Sequence, residues 1–145
     1  DAYDLPGAPG WWGKGEPIFI NATWRGKPGI GFPGTIRNIT VGDVFLRCES
    51  SMFIAGETVC PIRDILLKDI HLSFVRQGTQ PGGFFDEQPS ERHIYPHSIP
   101  ALYARAVDGL QLRYSTVEFH GENEAWDGTL TETEDCCNIS VLWNS

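Results

Sequence analysis

A segment of about a dozen residues recurs along the chain, and it constrains the fold more than any other feature. Residues 36–48, Ile-Arg-Asn-Ile-Thr-Val-Gly-Asp-Val-Phe-Leu-Arg-Cys, return as residues 62–74, Ile-Arg-Asp-Ile-Leu-Leu-Lys-Asp-Ile-His-Leu-Ser-Phe, so that Ile36 maps onto Ile62 at an offset of 26 residues. A weaker copy runs over 107–119, and a fourth begins at Cys136-Cys137-Asn138-Ile139. Self-similarity at a period of about 20–50 residues marks a solenoid. Within each copy the apolar residues alternate. Ile39 and Val41 are followed by Val44, Leu46 and Cys48; Ile65 and Leu67 by Ile70, Leu72 and Phe74; Leu110 and Leu112 by Val117 and Phe119. Alternation with period two describes strands with one buried face.

The two halves of a copy are too close for a hairpin, and no Asn-Gly or Asp-Gly turn separates them, so a bend of one or two residues is expected. Thr40, Phe45, Arg47, His71, Ser73, Thr116 and Glu118 then face outward. A third short strand is available upstream of the second copy at Met52-Phe53-Ile54 and upstream of the third at 101–104. Three short parallel strands per coil predict an all-β right-handed parallel β-helix of about four coils, continuous over 1–145 and interrupted by a long insertion at about 75–100. Helical periodicity is nearly absent, and 16 Gly with 10 Pro disfavour long helices.

The net charge of −8 argues against nucleic acid as a partner, because phosphates need a basic face. The charge is uneven. Lys14, Arg25, Lys27, Arg37 and Arg47 lie in the first third, and no Lys or Arg follows Arg113. An anionic polymer would prefer the first half, and the acidic tail reads as a solvated surface. No apolar run is long enough to span a membrane. No signal peptide is recognisable at the start, which lacks Met, so Asp1 is expected to be a processing or truncation point.

Four cysteines allow three pairings. Cys48 and Cys60 flank one turn of the repeat and are a disulfide candidate; Cys48 also fits the inward row as a small buried hydrophobe. Adjacent Cys136 and Cys137 suit separate partners or free thiols better than a strained bond. No Cys-x-x-Cys spacing occurs, and no metal or cofactor is expected. Of three sequons, Asn38 and Asn138 occupy the same repeat position, where they suit a bend, and Asn21 is the glycosylation candidate.

The run Trp12-Gly13-Lys14-Gly15-Glu16-Pro17-Ile18-Phe19-Ile20, then Arg25, then Gly34-Thr35-Ile36-Arg37-Asn38-Ile39, resembles the late coils of glycoside hydrolase family 28. So do Cys60-Pro61-Ile62-Arg63-Asp64-Ile65 and Tyr95-Pro96-His97-Ser98-Ile99-Pro100-Ala101-Leu102-Tyr103-Ala104-Arg105. These enzymes are the polygalacturonases and rhamnogalacturonan hydrolases, and the likeness covers roughly 11–142. It implies a C-terminal fragment of a secreted enzyme that hydrolyses pectic or related acidic polysaccharide by inversion, with upstream coils of the same parent chain as its neighbours. The family's catalytic motifs, Asn-Thr-Asp, Asp-Asp, Gly-His-Gly and Arg-Ile-Lys, do not occur here; His120-Gly121 is preceded by Phe119. No catalytic residue carries over, and the chain alone is expected to be inactive.

Trp24 and Arg25 are the candidate substrate-binding residues: an aromatic face suits the CH surface of a sugar, and a guanidinium fork suits a uronate. The insertion could hold a carboxylate–histidine site, with Asp86, Glu87 or Glu91 near His93, or could pack over the side of the coils with Phe84 and Phe85 as anchors. Trp11-Trp12 could be a sugar platform or a cover for one end or side. A non-catalytic carbohydrate-binding β-helix, a ligand-free coil stack and a piece of a polysaccharide lyase are the competing readings. Open solenoid ends expose apolar surface and unpaired strand edges, so the isolated chain is expected to be marginally stable or to aggregate.

Overall fold

The computed structural model describes residues 15–79 and 81–145; Trp11, Trp12 and Lys14 lie outside them. Among the described residues ten strands form, β1 (Phe19–Asn21), β2 (Arg37–Cys48), β3 (Met52–Ala55), β4 (Ile62–Val75), β5 (Phe84–Asp86), β6 (Ile94–Pro96), β7 (Leu102–Arg105), β8 (Val107–His120), β9 (Thr131–Glu134) and β10 (Cys137–Trp143). Eight of them build two parallel four-stranded sheets. The short strands order as β1-β3-β7-β9 and the long ones as β10-β8-β4-β2. The chain alternates between the two sheets, one short strand and then one long strand, and each return lands beside the previous one. The protein is all-β with parallel sheets, and no helix among the described residues is long and apolar enough to cross a membrane.

The register is the one that the repeat implies. Ile39, Ile65, Leu110 and Ile139 form one row across the long sheet, and Val41, Leu67, Leu112 and Val141 form the next. Leu46, Leu72 and Val117 continue the inward face. In the two middle long strands, Ile65, Leu67, Ile70, Leu110 and Leu112 are at most 2 % exposed. Each such side chain gains about 1.5–3 kcal/mol from leaving water. The short sheet contributes Met52, Ile54, Leu102 and Ala104 to the same core, all fully buried.

The expected bend is present, but the strand does not break there. β2, β4 and β8 run through it as single strands, so the structure has two sheets where three short strands per turn are expected from the pattern. One residue per strand absorbs the bend in the left-handed region: Asp43 (φ 59°), Asp69 (φ 52°) and Tyr114 (φ 55°). A second left-handed column stacks Asn38, Asp64, Gly109 and Asn138 near the start of the long strands. Asn, Asp and Gly occupy this region at low cost, which explains why they supply these positions in every copy but for Tyr114. At Gly109 an added Cβ would lie 2.9 Å from Asp64 Oδ1, so the column also needs that position to be small.

The insertion folds as an antiparallel hairpin, with Phe85 of β5 opposite Tyr95 of β6, and packs on the outer face of the short sheet. Phe85 is its anchor, 1 % exposed, with its ring 5.0 Å from Phe53 and 4.8 Å from Tyr103; Phe84 is half-buried. The acidic tail is more than a solvated surface, because Thr131–Glu134 forms edge strand β9 on Leu102–Arg105.

Candidate functional site

The outer face of the short sheet carries two columns. One runs Phe19, Phe53, Tyr103, Glu132, and the other runs Asn21, Ala55, Arg105, Glu134. The hairpin covers the middle of both and brings Glu87 onto Arg105. Arg105 donates from both terminal nitrogens to the two Glu87 oxygens at 2.6 Å each, and Tyr95 Oη donates to Glu87 Oε1 at 2.5 Å. The Glu87 side chain has no exposure, and that of Arg105 has 8 %.

A second pair lies alongside. Arg92 grips Glu57 with bonds of 2.8 and 3.2 Å and reaches toward Glu87 at 3.9 Å. Glu57 also accepts the backbone N–H of Trp24 at 3.2 Å, and Gly26 bridges to Ser90 of the insertion. The segment carrying Trp24 and Arg25 is thereby fastened to the hairpin. Above these pairs opens a depression of about 410 Å³, lined by Arg92, Tyr95, His97, Tyr103, Arg105 and Glu134. His97 Nε2 lies 3.3 Å from Glu132, and Tyr103 Oη donates to Glu134 at 3.0 Å.

The electrostatics of Glu57 run against a general-acid role. Burial pushes the Glu57 carboxyl up, but the hydrogen bonds from Arg92 and Trp24 and the nearby guanidinium charges outweigh it, and the net shift is downward. A general acid needs a carboxyl that keeps its proton near working pH, and Glu57 moves the other way. For Arg105, burial opposes the charge, but the bonds and charge of Glu87 prevail and its pKa rises. The Tyr103 phenol is pushed up to about 12, chiefly by burial. Glu87 is tied to Arg105 and Tyr95. Of the two alternatives for the insertion, the carboxylate–histidine pairing with His93 does not form: His93 meets the insertion through its backbone, its N–H donating to Ser90 O and its carbonyl accepting from Glu87 N–H, and its buried Nδ1 has no partner.

Of the other residues singled out from the sequence, Trp24 is half-buried and Arg25 exposed, both at the rim of the hairpin. Asn21 does not present its amide for glycosylation: Nδ2 is buried, and Oδ1 accepts from Thr23 at 2.7 Å. Asn38 and Asn138 are exposed and left-handed, as bend residues. The Cys48–Cys60 disulfide is absent, and all four cysteines are free. Cys60 Sγ donates to Gly34 O at 3.2 Å, ahead of β2, whereas Cys48 ends that strand of 12 residues. The whole strand separates two residues whose Cα atoms would have to come within about 7 Å. Cys48 instead fills the inward row, and burial first, then the Glu49 charge, pushes its thiol up to about 12.

Glu57 is the member of the site that the sequence does not signal, since it follows Gly56 at a strand end with no motif around it. Among the described residues no group of three or more His, Cys, Asp or Glu side chains could hold a metal ion. Comparison of the chain with family models, with curated proteins and with solved structures found no match.

Proposed function

We propose that this chain supplies late coils of a right-handed parallel β-helix in a secreted glycoside hydrolase of the family 28 type, acting on pectic or related acidic polysaccharide. The observation that carries the proposal is the in-register alternation of short and long strands between two parallel sheets, with left-handed residues stacked at the bends. Parallel strands joined through a second layer turn right-handed in nearly all proteins, and such a winding stacks coils into a solenoid. Within the enzyme, these coils form one wall of the cleft. Trp24 offers a ring face to a sugar and Arg25 a guanidinium to a uronate, both held by Glu57 and the hairpin. Hydrolysis comes from carboxylates elsewhere in the parent, and the isolated chain releases no reducing ends from polygalacturonate.

The test has two parts. The reading frame upstream of Asp1 should encode further coils with Asp-Asp and Gly-His-Gly motifs, and the whole product should invert the anomeric centre. An unsaturated product would make the parent a lyase and overturn the proposal. A second reading, a non-catalytic carbohydrate-binding β-helix, draws support from the arginine pairing of Glu57 and Glu87. Oligouronide affinity that disappears in Trp24→Ala, in a product with no catalytic coils, would favour it.

A further inference from the structure

We infer that Asn138, and not Asn21, is an N-glycosylation site of this chain, modified by an oligosaccharide transferred from a polyprenyl diphosphate. The acceptor motif needs an asparagine amide and, two residues on, a hydroxyl, and the folded product must leave room for a bulky hydrated group. Asn21-Ala22-Thr23 does not meet these needs. Asn21 Nδ2 is buried, Ala22 is 6 % and Thr23 7 % exposed, and the Thr23 hydroxyl is spent on Asn21 Oδ1. Asn38 is exposed, but it stands on β2, the edge that the proposed upstream coils would cover.

Asn138-Ile139-Ser140 is open at each of its positions. Asn138 and Ser140 are exposed, and Ile139 between them packs against the core. The pairs Cys137 with Asp108 and Ile139 with Leu110 set Asn138 beside Gly109, so the neighbouring strand raises no side chain there. β10 is the last strand of its sheet among the described residues, at the opposite edge from β2. One Nδ2 hydrogen goes to Asp108 Oδ1 at 2.7 Å, and the other meets only the weak acceptor Cys137 Sγ, at 3.8 Å. A glycosylated amide keeps one hydrogen, so the bond to Asp108 survives the modification and steadies the linkage. In the transfer, Nδ2 bonds to C1 of the first sugar as the bond from C1 to the diphosphate oxygen breaks. The polyprenyl diphosphate leaves with the electron pair, and the amide proton goes to a base of the transferase.

The inference rests on the secreted reading for the chain's meeting with the transferase, and the test separates the two by supplying a signal peptide. The chain, with a heterologous signal peptide and a C-terminal tag for capture, is expressed in a eukaryotic cell and recovered from lysate and medium. Peptide-N-glycosidase in ¹⁸O water converts each glycosylated Asn to labelled Asp, which peptide mass spectrometry assigns to single residues. The label should fall on Asn138 in most chains and be absent from Asn21. It should vanish in Ser140→Ala, which keeps the Asn138–Asp108 bond and so the local fold, and persist in Thr23→Ala. Asn138 labelled behind the added signal peptide, in a protein that its own source retains in the cytoplasm, would sink the secreted reading and still support the site. Unlabelled Asn138 in chains that have lost the signal peptide, or label on Asn21 in the exported fraction, would overturn it.

Discussion

Replacing Glu87 by Gln tests the junction between the insertion and the sheet most directly. The substitution keeps the shape but removes the charge that faces Arg105, and it turns one accepting oxygen into a donor aimed at other donors. Glu87 is fully buried and Arg105 nearly so, with two bonds of 2.6 Å between them and a third from Tyr95. Removing one partner of a buried pair typically costs about 3–5 kcal/mol, because the remaining charge is stranded. That is a large share of the 5–15 kcal/mol that holds a typical domain together. At roughly 2–4 °C per kcal/mol for a chain near this size, the melting temperature should fall by roughly 6–20 °C. Urea denaturation followed by circular dichroism reads the loss. Amide exchange should show the hairpin β5–β6 losing protection first. The triple variant Glu87→Leu, Arg105→Met and Tyr95→Phe should recover most of the deficit, since apolar groups of similar volume leave no buried polar partner stranded. A Glu87→Gln variant with unchanged melting and unchanged exchange would refute the buried-pair reasoning.

Two further outcomes follow from the titrating groups. The folded-state pKa of Glu57 is depressed, so its contribution is complete above the unfolded carboxylate range, near about 4.3, and is lost as pH falls through the folded value. Urea midpoints measured from about pH 5 downward should therefore drop more steeply in the parent than in Glu57→Gln; equal slopes would refute the assignment. The Cys48 thiol, buried and pushed up to about 12, should resist Ellman's reagent in the native state at about pH 8 and react only on unfolding. Exposed Cys137, although Asp108 beside it raises its thiol, should react before buried Cys48, and Cys48 labelling as fast as Cys137 would contradict the inward placement.

The strands of the long sheet were legible because their chemistry repeats. Ile39, Ile65, Leu110 and Ile139 face the same core in successive turns, and the same requirement selects the same residue type each time. The bend columns repeat for an equally local reason, since Asn, Asp and Gly tolerate the left-handed region. The exceptions have physical causes. Thr131–Glu134 lies at a sheet edge with one neighbour, so it needs no apolar alternation and reads as tail. Tyr114 and Ala106 take positive φ without the residue type that advertises it. Cys48 and Cys60 are close in sequence, but Cys48 ends β2 whereas Cys60 lies beside Gly34, ahead of that strand's start. The candidate site was legible only in pieces. Trp24, Arg25 and Glu87 stand out as residue types, but Glu57 joins Trp24 to Arg92 through a tertiary contact that no spacing encodes.

The division between inward and outward faces also bears on how such a chain can recognise anything. Inward positions are bound by the stacking of one turn on the next, so substitutions there are constrained together. Outward positions answer to no such constraint and can differ from turn to turn, as the column Phe19, Phe53, Tyr103, Glu132 does. An outward aromatic in the middle of that column needs a cover or a ligand. Phe53 and Tyr103 are covered by Phe85, whereas Phe19 is left 45 % exposed beyond the hairpin. The insertion therefore sets which part of the face is sealed and which part is left open. The Glu87–Arg105 pair holds that boundary, and Glu57 with the Gly26–Ser90 bridge fastens the segment of Trp24 and Arg25 beside it.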